Sequence, residues 1–154
     1  MEDYGRRVSV DMPFDLTLQE TVRALENEGL DVIGQFDVRQ YLGQTLHHDC
    51  RRYVLLEAVS PRIVLGALQE DLGAGAMMPI TIAVFELADG ETGVVVGDPF
   101  VAAVSDQGWR RTTNAALTDL GEQECEALAR ALGHLHKSAQ LNAPTGQVAM
   151  NQCT

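Results

Sequence analysis

The chain has 154 residues, enough for one domain that buries about 68–70% of its unfolded surface without disulfide or metal staples. Eleven Lys and Arg against 22 Asp and Glu give a formal charge of −11, which repels nucleic-acid phosphates and anionic membrane surfaces. Aromatic residues make up only 5%, so the core must come from Val, Leu, Ile, Ala and Met.

Alternating Val8 and Val10 predict a half-buried first strand over 5–11, closed by Pro13. Thr17 and Glu20 have the spacing of a capping box at the start of a helix that carries Leu18, Val22 and Leu25 on one face. Gly29 is the natural residue just past its end, because glycine is free to adopt positive φ. Residues 30–37 read as a second strand bulged at Gly34, with a short helical turn over 38–42. The most polar stretch, 47–52, then leads into an apolar third strand over 53–59 that only Glu57 interrupts.

Ser60 and Pro61 open the next helix as N-cap and first residue, where a missing N–H costs nothing. The glycine-containing run 72–76 ends it, and Pro79 opens a fourth strand over 80–87. An Asp-Gly turn within 88–93 predicts a hairpin to a fifth strand over 94–97, ended by Asp98 and Pro99. Residues 100–104 read as a helical turn, and 107–113 as a loop carrying the only Trp. A helix over 122–140 puts Cys125, Leu128, Leu132, Leu135 and Ala139 on one stripe. Its Glu122, Glu124 and Glu126 lie near the N-terminus and His134, His136 and Lys137 near the C-terminus, as the helix dipole favours.

These elements predict an α+β fold: a single, mostly antiparallel sheet of about five strands with two or three helices packed on one face. A single domain over 5–140 and a flexible tail over 141–154 are expected. Cys50, Cys125 and Cys153 are odd in number and far apart in sequence, which predicts free thiols in a reducing compartment. No apolar stretch of signal-peptide type follows Arg6 and Arg7, and no run approaches a membrane span. The expected location is the cytoplasm.

Several short motifs occur in a particular order: Glu28-Gly29-Leu30 at the first helix end, Leu56 four residues before Ser60-Pro61, Met77-Met78-Pro79 before an apolar strand, and Asp98-Pro99 after the hairpin. In that order the chain, over about residues 7–99, resembles domain-of-unknown-function family 302. The resemblance implies a compact α+β domain that tends to pair as a homodimer, and it implies no established reaction. The family often has Cys-Asn-Pro where this chain has Val59-Ser60-Pro61, and Pro-Cys where it has Pro79-Ile80. Any thiol, redox or metal role of those cysteines is therefore not expected here.

His47, His48 and Cys50 form the one cluster of soft and borderline metal ligands, suited to Zn, Fe or haem if a remote ligand such as His134 or His136 joins them. The competing reading is a solvated polar loop, since structural zinc sites need four ligands with paired local spacing. His134 and His136 point about 200° apart on a helix and cannot grip one ion together. Cys50 lies beside His48 and Arg51, which favour a thiolate, but no base or oxyanion donor accompanies it. Glu57 is read as facing solvent, pairing with an arginine such as Arg52, or lining a pocket. The 72–78 run lacks the Gly-Lys-Ser/Thr ending of a phosphate loop and follows a helix rather than preceding one.

With no catalytic constellation in view, the leading expectation is a homodimeric ligand-binding or interaction protein without its own catalysis. Its site would take a small apolar molecule between sheet and helices, near Tyr53, Met77, Met78 and Trp109, with no cofactor, nucleic acid or membrane involved. The alternative expectation is a metal- or haem-binding protein using His47, His48 and Cys50.

Overall fold

A computed structural model describes residues 5–88, 90–97, 101–105, 108–111 and 114–142. Strand β1 (Gly5–Val10) leads into helix α1 (Phe14–Asn27), strand β2 (Asp31–Asp37) and helix α2 (Val38–Leu46). Strand β3 (Tyr53–Val59) is followed by helix α3 (Pro61–Glu70), a 3₁₀ turn (Leu72–Met77) and the hairpin of β4 (Ile80–Ala88) and β5 (Glu91–Gly97). Strands β6 (Val101–Ser105) and β7 (Gly108–Arg111) precede the long helix α4 (Ala115–Asn142). The first five strands form one antiparallel sheet in the order β1-β5-β4-β3-β2, and β6 and β7 pair with each other. The α+β fold and five-stranded antiparallel sheet agree with the sequence. The four α-helices and one 3₁₀ turn exceed the two or three helices expected.

Strand period two decides which side chains enter the core. Val54, Leu56 and Ala58 of β3, Ile82 and Val84 of β4, and Val94 and Val96 of β5 are buried in one cluster with Ala24 and Leu25 of α1 and Leu128, Ala131 and Leu135 of α4. Each of the Val, Leu and Ile side chains contributes about 1.5–3 kcal/mol of transfer free energy when fully buried. A smaller cluster joins Ile63 and Ala67 of α3, Ala74 of the 3₁₀ turn, and Leu117 of α4, with Met77, Met78 and Leu120 packed against it.

Four local expectations change. Helix α1 begins at Phe14 after Pro13, so Thr17 lies inside it rather than at its cap. Its buried hydroxyl donates to the carbonyls of Met12 and Pro13 at 3.2 and 3.0 Å, which ties the helix to the end of β1. Helix α2 runs to Leu46 because Asp37 caps it, its carboxylate accepting from the Gln40 amide at 2.9 Å. Residues 101–105 and 108–111 are strands rather than a helical turn and a loop, since each supplies the other's backbone partners.

Helix α4 starts seven residues before the expected 122, where Asn114 accepts from the Leu117 amide at 3.1 Å. At the other end α4 takes in Leu141 and Asn142, and the rest of the expected tail lies outside the described residues. Asp98 and Pro99 lie outside them too.

Other expectations hold. Gly29 has φ +78°, and the Leu30 amide bonds back to the Leu25 carbonyl at 3.0 Å, closing α1 as a glycine C′ does. The bulge in β2 falls between Val32 and Gly34. Pro61 is at the first turn of α3, although Ser60 makes no side-chain cap bond.

Candidate functional site

The strongest concentration of polar groups is at the corner where β2 turns into α2. Asp37 ends the strand and caps the helix. After nine helical residues α2 stops at His47, whose backbone is left-handed at φ 51°. The chain then returns past Asp49, which accepts from Arg39 Nε at 2.9 Å. Asp37, Arg39, Gln40, Gly43, His47, His48 and Asp49 line an open cleft of about 510 Å³.

A second hollow of about 170 Å³ adjoins it and shares Asp37 and Arg39. Its wall includes Phe14 and Leu18 of α1, Gln35 of β2, and Tyr53 and Val54 of β3. Arg52 anchors this wall: Nη1 donates to Asp15 Oδ2 at 2.9 Å, Nη2 donates to Oδ1, and the guanidinium lies 4.3 Å from the Phe14 ring centroid. The hydrogen bonds from Arg52 hold the Asp15 carboxyl below its ordinary value. Arg51 in turn donates to the Glu86 carbonyl at 3.2 Å. The polar stretch 47–52 therefore spends its Asp and Arg residues on cross-links and leaves His47 and His48 exposed on the rim of the cleft.

The sequence-predicted site residues fall into separate places. Tyr53 is in the wall of the smaller hollow, and His47 and His48 are on the adjoining cleft. Met77 and Met78 are half-buried and pack against the small core near the other end of the sheet. Tyr53 pairs with Phe85 and Ala58 with Ile80, so five residues of strand, about 17 Å, separate the two ends. Trp109 is on β7, and its side chain lies outside the described residues.

Among the described residues, a void between sheet and helices lined by Ala24, Leu25, Ile82 and Leu135 measures about 10 Å³, room for one water at most. Cys50 is half-buried and does not line the cleft. Among the described residues no group of three or more His, Cys, Asp or Glu side chains is placed to hold a metal ion. His134 lies 3.4 Å from Glu28, which also accepts from Arg130 at 2.7 Å, and His136 faces Gln140.

One group escaped the sequence reading. Glu124, expected near the N-terminus of the last helix, is 3% exposed. With α4 starting at Ala115 it falls in the third turn, between Leu120 of the small core and Leu128 of the large one. No hydrogen bond or ion pair reaches it among the described residues, and burial pushes its carboxyl up to about 7. Only a correct start for α4 exposes this position in the sequence.

A family model for "Domain of unknown function DUF302" matches residues 6–131, more than three quarters of the chain. The chain belongs to that family. Among solved structures it is similar to an uncharacterized conserved DUF302 protein from Bacillus stearothermophilus, with a TM-score of 0.72 and 22% identity. That match covers 87% of this chain and 99% of the other, and at this identity it shows a shared fold. No curated protein matches the chain. No helix among the described residues is long and apolar enough to cross a membrane.

Proposed function

We propose that the chain is a homodimeric ligand-binding or interaction protein without catalysis of its own, working in the cytoplasm. The observation that carries the ligand reading is the two-part cleft at the β2–α2 corner. The larger part falls within the roughly 300–1,000 Å³ of small-molecule sites. The smaller has an apolar floor of Phe14, Leu18 and Val54 beneath a polar rim of Gln35, Asp37 and Arg39. A small molecule with an apolar body and a polar end suits it. Self-association is supported by the sheet face turned away from α1 and α4, which carries the exposed Phe36 and the half-buried Leu55, Ala83 and Val95.

Native mass spectrometry of the purified protein tests both parts. A mass of two chains plus a retained molecule is expected, with the molecule lost in Arg39→Ala, which removes a side chain shared by both parts of the cleft. A bare single chain contradicts the proposal. A mass increment equal to a metal ion or haem contradicts the apolar-ligand reading.

A further inference from the structure

The sheet face turned away from α1 and α4, where Phe36 at the β2 edge packs against Tyr41 of α2 with ring centroids 5.2 Å apart, has a charge pattern at its two edges. In the row formed by Arg7, Val95, Ala83, Leu55 and Phe36, the three central residues are half-buried and apolar, and Arg7 stands exposed on edge strand β1. One row along, Glu57 of β3 is exposed, and its Oε2 would lie 3.2 Å from a Cβ placed on Gly34 of the opposite edge strand, β2. The carboxylate thus leans over β2. Neither Arg7 nor Glu57 makes an ion pair or side-chain hydrogen bond among the described residues. Strand β4 runs midway between the two edges.

We propose that a second copy of this chain packs face to face on this surface, about a two-fold axis parallel to β4, with Arg7 of each copy paired to Glu57 of the other. The inference rests on the homodimer reading above and assigns its surface and pairing. A rotation about that axis exchanges the two edges, so it carries the Glu57 carboxylate above β2 of one copy over β1 of its partner, where Arg7 stands. Aligned sheets pack about 10 Å apart, and the two rows are offset by about 7 Å along the strands. Long Arg and Glu side chains pointing at each other across the gap span that separation. The centre of the contact is then Leu55, Ala83 and Val95, and the rim holds two symmetry-related ion pairs, the pattern of an apolar core with a polar rim.

The same rotation answers the net charge. Two chains of −11 repel at long range, so self-association needs local complementarity, and Arg7 is one of only 11 basic residues.

Sedimentation velocity on the full chain at low and moderate salt tests the assignment, with circular dichroism confirming folded variants. Arg7→Glu and Glu57→Arg, both exposed, are each expected to weaken the dimer about tenfold or more by turning two attractions into repulsions. The double variant Arg7→Glu/Glu57→Arg is expected to recover dimer strength. A wild-type dimer that neither swap weakens overturns this interface while leaving the homodimer standing. A wild-type monomer throughout overturns both.

Discussion

Tyr53 and Phe85 stand opposite each other on neighbouring strands, and their rings stack 5.4 Å apart at 13° on the sheet face away from α1 and α4. The next residue in that row is Gly93 of β5, which lies under the Phe85 ring. Tyr53 is also among the residues lining the smaller hollow.

A methyl group on Gly93 would sit 2.7 Å from Phe85 Cε2 and 2.8 Å from Cζ. Phe85 is only 8% exposed, so the ring has little freedom to retreat. Gly93→Ala is expected to destabilise the fold by about 1–3 kcal/mol in urea titration. Phe85→Leu in the same background should recover part of that loss, since the two sites share one contact. An unchanged midpoint for Gly93→Ala would show that the ring does not rest on the strand.

Arg52 governs the ionisation of Asp15. Its hydrogen bonds lower the Asp15 value, so the pair favours the folded state above the ordinary value near 3.8, and the benefit is lost as pH falls through the folded value. Arg52→Ala should return Asp15 toward 3.8, read by carbon NMR of the carboxyl group. The variant should also lose sensitivity to acid below about pH 4. An Asp15 titration identical in both proteins would contradict the pairing.

Glu124 acts in the opposite direction. Burial raises its value from 4.5 to about 7, so the folded state binds the proton more tightly than the unfolded chain. Stability tied to the neutral carboxyl is full below about 4.5 and lost as pH rises through about 7. Each tenfold difference in proton affinity is worth about 1.4 kcal/mol. Glu124→Gln should therefore match the wild type near pH 4.5 and exceed it by a few kcal/mol at pH 8, in chemical unfolding at both pH values. Parallel curves at the two pH values would place Glu124 in water.

Glu124 also shows where the sequence stopped being legible. Strand periodicity and the signals at Gly29, Pro61 and the Asp-Gly turn located the five strands, since each is a local backbone requirement. Thr17 looked like a cap because Glu20 stands three residues on, but Pro13 starts the helix earlier and the hydroxyl serves buried carbonyls instead. Asn114 was passed over as the cap of α4, so Glu124 seemed to lie near the N-terminus of the last helix. The cleft draws Phe14, Asp37, Arg39 and Tyr53 from four elements, and pairs such as Arg52 with Asp15, 37 residues apart, depend on how those elements pack. Met77 and Met78 are half-buried and pack against the small core of Ile63, Ala67, Ala74 and Leu117, a contact between α3, the 3₁₀ turn and α4 that no local pattern announces.

Native mass spectrometry of protein purified without added ligand bears most directly on the claim of a homodimeric binding protein. The expected spectrum has one species at twice the 16.7 kDa of a single chain plus the mass of a small molecule. A spectrum containing only the bare 16.7 kDa chain at micromolar concentration would contradict it.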